Sequence, residues 1–278
     1  IKIPYKNQWV LSLDRILKLI GTGKATQQMA LPYVYGAMVF FSVIFAHAVD
    51  FFMHEFAHSF MAWALGWKDN PLALNYGKST IDNILMQQQI DENVRYAPIF
   101  AAHNGLQGSL IAAAGPLIAN GGGSIICGHV LRTIGKKPQQ TVWSLACMWL
   151  LAWLAAFNVF NVWSYAPLRA LSSHGDMALI AEGLGISNWL LFPVVTGFAV
   201  WLAHWYVRDI LPNVCRHFSD FRFGAAFGGT VLGTTIPFFS IVGLTGNYGL
   251  PSALMCIASL FFFTPAMVAM FYLSLGRR

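Results

Sequence analysis

Residues 33–66 read YVYGAMVFFSVIFAHAVDFFMHEFAHSFMAWALG. Asp50 and Glu55 are the only formal charges in the stretch, which stops at Gly66. At 1.5 Å per residue it outruns the roughly 30 Å of a bilayer's hydrocarbon, so it predicts a membrane-spanning helix. Apolar stretches recur at about 98–133, 141–163, 188–210, 224–246 and 250–275, which makes six spans. Gly115-Pro116 and Gly121–Gly123 interrupt the second, and the third leads into an irregular segment, 164–187.

The composition agrees. Of 278 residues, 56% are hydrophobic and 10% charged, against about 25% charged in a soluble domain. Disordered, collagen-like and disulfide-scaffold classes are excluded, and so is an ordinary soluble enzyme. The expected fold is all-α: a polytopic helical membrane protein with about six transmembrane helices and a three-helix catalytic core. Residues 1–32 contain the amphipathic segment QWVLSLDRILKLI (8–20), suited to the membrane surface. Residues 33–187 form the core with a polar loop at 67–97 expected outside the hydrocarbon, and 188–278 supply three further helices. Cys127, Cys147, Cys215 and Cys256 form no CxxC pair and read as small buried hydrophobes. The expected surroundings are a lipid bilayer and no nucleic acid, in a multi-pass integral membrane protein.

This topology puts thirteen Lys and Arg on the face holding both termini and four (Lys68, Lys78, Arg95, Arg169) on the other. Counted by charge, both termini face the cytoplasm. Five of the thirteen belong to residues 1–32, the N-terminal segment that can bind either surface, so the orientation stays open.

Chemistry concentrates in His54-Glu55-Phe56-Ala57-His58. Histidines four apart share a helix face, so both imidazoles can hold one Zn²⁺. Glu55, about 100° round the axis, is free to take a proton from a water on that ion. Eleven residues before Gly66 places Glu55 roughly 15 Å below the surface, where ionisable groups are costly and normally functional. Asp50, one turn before His54, is placed to orient it from the outer shell. A third protein ligand is needed. Asp209 and Asp220 stand beside Arg208 and Arg222 on the opposite face, whereas Asp176 in Ser172-Ser173-His174-Gly175-Asp176 returns to the face of Gly66. Asp176 is the favoured ligand and His174 its rival.

These residues resemble the site-2 protease family of intramembrane zinc metalloproteases. The likeness covers three helices, about 37–185. It rests on His54–His58, on Gly115-Pro116-Leu117-Ile118-Ala119-Asn120, and on the stretch Asn158, Asn161, Pro167, Asp176. Two features depart from the family pattern. One extra residue separates Pro116 from Asn120, and Arg169-Ala170 stand after Pro167-Leu168 where the family has Asp-Gly. The resemblance also implies a site nearer the cytoplasmic face, against the charge count.

The resemblance implies a zinc endopeptidase that cuts in or near a transmembrane segment of another membrane protein. Glu55 would be the general base, His54, His58 and Asp176 would hold one Zn²⁺, and Asn120 and Asn158 would hold the substrate backbone extended. The altered second and third motifs keep an alternative open: a non-catalytic scaffold or accessory subunit of the same fold. A di-iron oxidase is disfavoured because the chain has no His-His pair. A transporter is disfavoured because no paired halves are visible.

Overall fold

A computed structural model describes residues 24–137, 140–218, 220–245 and 247–277, so the amphipathic segment at 8–20 lies outside the described residues. Among the described residues nine helices follow one another: α1 (Lys24–Ala64), α2 (Ile81–Met86), α3 (Tyr96–Ala101), α4 (Gly105–Gly135), α5 (Val142–Leu168), α6 (Asp176–Leu184), α7 (Asn188–Cys215), α8 (Phe221–Thr245) and α9 (Leu250–Gly276). No strand forms among the described residues beyond the isolated bridge Asn75–Asp91. Six of the helices are long and apolar enough to cross a membrane, α1 from Pro32 onward together with α4, α5, α7, α8 and α9. The chain is a polytopic helical protein of the expected class.

The ends of these helices sort onto two faces. On one, His217 Nε2 donates to Gly135 O (2.9 Å) and an Arg216 guanidinium nitrogen donates to Arg277 O (2.9 Å), which ties the ends of α4, α7 and α9 together. On the other, Arg169 meets Tyr248 (3.2 Å) and Trp67 Nε1 meets Gln107 Oε1 (2.5 Å). α5 sits in the middle, with 72% of its apolar window buried by protein against 17% for α9. Trp149, Trp153, Phe218 and Phe227 pack ring on ring beside it. Polar side chains tie helices together within the apolar interior: Trp149 Nε1 donates to Ser42 Oγ (2.7 Å) and Tyr206 OH to Ala152 O (2.7 Å). Cys147 departs from expectation, being exposed while the other three cysteines are buried.

Four spans contain a widened, π-helical turn: Ala114–Gly121, Ser164–Leu168, Tyr206–Ile210 and Ser259–Phe263. The first two contain a proline, Pro116 and Pro167, and the other two end two residues before one, Pro212 and Pro265. Proline lacks the N–H of a helical bond and crowds the carbonyl one turn back, so the turn opens. At Ala166 the helix breaks outright (φ −141°, ψ 110°), the extended conformation that a following proline favours.

The segment between α1 and α4 does not stay beyond the helix ends. His47 Nε2 donates to Met86 O at 3.3 Å, and the Tyr76 ring lies 6.5 Å from Phe52. His47 is seventeen residues before Ala64, roughly 25 Å down the axis, so this segment runs back along α1 to the middle of the span. Its backbone is satisfied locally. Asn83 Nδ2 donates to Tyr76 O and Lys78 O (both 2.9 Å), and Asn83 Oδ1 accepts from Gln89 N (2.9 Å). Lys68 Nζ donates to Ala73 O (2.8 Å) and to Glu92 O. With those groups paired, the exposed side chains of Ile81, Ile84 and Leu85 can face an apolar medium.

α6 packs on the first turns of α4 with almost no gap. A Cβ at Gly183 would come within 2.2 Å of Gly105 O and 2.3 Å of Ser109 Oγ, and the Ser109 hydroxyl donates to Ile180 O at 2.9 Å. This contact is what carries Asp176 to α1. Gly183→Ala should therefore cost about 1–3 kcal/mol by overpacking. Thermal unfolding in detergent should show a lowered Tm for it, while Gly197→Ala, with nothing within 4 Å, leaves Tm unchanged.

Candidate metal centre

Three side chains from two elements converge. His54 and His58, one turn apart on α1, are 3% and 1% exposed, and their Nε2 atoms stand 3.0 Å apart. Asp176 opens α6, and its Oδ2 lies 3.2 Å from His54 Nε2 and 3.4 Å from His58 Nε2. The preceding Gly175 has φ +84°, a left-handed turn that favours glycine and lets the carboxylate enter from the loop.

The outer ring nitrogens fix which tautomers are present. His58 Nδ1 lies 2.6 Å from Ile111 O; a carbonyl only accepts, so Nδ1 carries the proton. Asn120 Nδ2 donates to Asp50 Oδ1 at 2.7 Å, which turns its Oδ1 toward His54 Nδ1 at 2.6 Å, so that nitrogen also donates. Asn161 Nδ2 donates to the other Asp50 oxygen at 2.7 Å. Both Nε2 atoms of the neutral rings are consequently bare, and they face each other and a carboxylate. Three lone-pair atoms, all within 4.8 Å of one another, repel unless a cation lies among them. Two imidazoles and a carboxylate form a donor set that suits Zn²⁺.

The space between them is kept clear by glycine. A Cβ at Gly115 would lie 2.2 Å from His58 Nε2 and 2.6 Å from His54 Nε2. Burial raises the Asp176 carboxyl, but any positive charge placed among these three atoms, a proton on His58 included, holds it well below the usual carboxylate range. It stands as an anion. Glu55 is 7% exposed and, among the described residues, makes no hydrogen bond or ion pair. It lies on the same stretch of α1 as the two histidines, between them in sequence.

His174 is apart from the cluster, stacked on Tyr248 (4.9 Å, 15°) with Nδ1 3.3 Å from Ser172 Oγ. Asp50 reaches His54 only through Asn120, whose amide is engaged at both ends. Asn158 donates to Leu154 O in its own helix (2.9 Å), and its buried Oδ1 has no partner among the described residues.

Three further side chains at the site, Tyr165, Arg169 and Tyr96, carry no metal-ligand spacing in the sequence. The Tyr165 hydroxyl lies 3.1 Å from His54 Nε2, and the Arg169 guanidinium lies over its ring, 3.9 Å from the centroid. Tyr96 brings a buried hydroxyl with no partner among the described residues. Burial, with the charges of Glu92, Asp176 and Glu55, raises that phenol. A cavity of about 90 Å³ adjoins the site, lined by His47, Asp50, His54, Gln88, Tyr165 and Arg169 among others. That is room for several water molecules.

No family model, curated protein or solved structure matches this chain.

Gly115→Ala should push the two rings apart, and Zn²⁺ titration should show it binding at least roughly tenfold more weakly than wild type. Gly122→Ala, on the same helix with nothing within 4 Å, should bind normally.

Proposed function

We propose that this chain is an intramembrane zinc metalloendopeptidase acting on transmembrane segments of other membrane proteins. The observation that carries the reading is the convergence of two bare imidazole nitrogens and one carboxylate beside an unpaired buried glutamate. His54 Nε2, His58 Nε2 and Asp176 Oδ2 would hold Zn²⁺. When bound, the ion supplies Lewis acidity that lets an attacking water be deprotonated near neutral pH.

The chain's own residues do the rest. Glu55 accepts the water's proton on its carboxylate and returns it to the leaving amine nitrogen. Asn120 and Ile111 O hold the two rings in the ligating tautomer. Asp50, kept by two amides, favours the proton on His54 Nδ1 through Asn120. The adjoining cavity supports the reading by giving water a place beside His54 at membrane depth. The surrounding helices are long enough to bury a substrate segment's own scissile bond in the same layer.

Purified protein in detergent should contain one zinc per chain, lost in His54→Ala and Asp176→Ala. Glu55→Gln should keep the zinc and cleave a panel of transmembrane-segment fusion substrates at least about 100-fold more slowly. Full-rate cleavage by Glu55→Gln overturns the mechanism. A zinc-replete wild-type chain that cuts nothing in the panel makes the chain a scaffold.

Asn120→Leu should weaken zinc binding about 10- to 100-fold, read by chelator competition, because His54 loses the partner that orients it.

A further inference from the structure

Resting on the metallopeptidase reading, we propose that Tyr165 is a further catalytic residue: its hydroxyl donates a hydrogen bond to the substrate carbonyl oxygen as negative charge builds on it.

The geometry separates this role from that of a ligand. The Tyr165 and His54 rings stack, with centroids 4.9 Å apart and planes 16° from parallel. The hydroxyl, 3.1 Å from Nε2, therefore meets that nitrogen from the ring face. It leaves the in-plane lone pair directed at His58 and Asp176. His54 would hold the ion through that in-plane lone pair, so a phenol lying over the ring face would not be among the ligands. The same offset leaves room for one oxygen atom between them, at ordinary hydrogen-bond length. Among the described residues, His54 Nε2 is the only hydrogen-bond partner of this hydroxyl, so no other hydrogen bond competes for its proton.

The placement is enforced from behind. Tyr165 is the last helical residue before the break at Ala166. The Arg169 guanidinium lies over the ring, 3.9 Å from its centroid, anchored by Ser164 O (3.0 Å), Ser164 Oγ (2.9 Å) and Tyr248 OH (3.2 Å). Ser164 O is a carbonyl at the broken helix end, so the break that aims Tyr165 also anchors its clamp. No carboxylate among the described residues pairs with the guanidinium. Its charge therefore acts on the phenol it covers and favours donation from that hydroxyl. Tyr165 keeps its proton throughout; no bond to it forms or breaks.

The test uses full-length protein loaded with Co²⁺ in place of Zn²⁺. Two probes are titrated: an apolar phosphinic pseudodipeptide, whose tetrahedral phosphinate carries the charged oxygen of the reaction, and acetohydroxamate, which chelates a metal through both oxygens. Tyr165→Phe is expected to keep one Co²⁺ per chain with an unchanged visible spectrum. It should bind the phosphinate roughly 10- to 100-fold more weakly, and acetohydroxamate as wild type does. Arg169→Gln, with the phenol present and its clamp gone, should weaken the phosphinate several-fold at full Co²⁺ occupancy. Wild-type phosphinate affinity in Tyr165→Phe overturns the proposal, and a changed spectrum or lost Co²⁺ does so by making Tyr165 a ligand or a structural support. Failure of the wild-type chain to bind Co²⁺ removes instead the metallopeptidase reading beneath it.

Discussion

Two imidazole nitrogens 3.0 Å apart, neither able to donate to the other, are the constraint from which the rest of this protein can be understood. Their protons are held on the far sides of the rings by a carbonyl and an amide oxygen. Positive charge between them relieves this, and Asp176 makes the demand stronger. The amide that turns His54 is itself turned by Asp50, a carboxylate 1% exposed at membrane depth. A buried acid there is expensive. Its two amide partners offset the cost, and its return is a single ring orientation.

Close approach is the second theme. Gly115 admits the rings, and Gly105 with Gly183 admits the helix that carries Asp176. These are the places where helix backbones come near enough to focus side chains from separate elements on one point. Apolar burial alone would leave the helices at ordinary side-chain spacing. Small residues at membrane helix contacts do the same generally; here they set the dimensions of a site.

The sequence displayed the spans plainly, because a membrane forces long apolar runs, and the described helix ends fall within a few residues of those expected for most of them. His54, Glu55 and His58 were equally legible, since a four-residue spacing has one meaning on a helix. Asp176 emerged by elimination and stands in the cluster. Other features were hidden. The segment 67–97 looks polar on average, and averaging conceals Ile81–Met86, a short apolar helix that comes back along α1. Asp50 was placed one turn from His54 and so next to it, yet a side chain from α4 stands between them. Tyr165 has no motif to announce it, because its position follows from a helix break two atoms' reach away, and a break's direction is a three-dimensional fact.

The widened turn at Ala114–Gly121 has a further consequence. An i→i+5 turn takes up one residue more than an i→i+4 turn, so the residues beyond Pro116 leave it rotated round α4 relative to a regular helix, and Asn120 comes out with its amide against His54. Distance along the chain and angle around the cylinder are separate coordinates of this helix, and it is the angle that sets the contact.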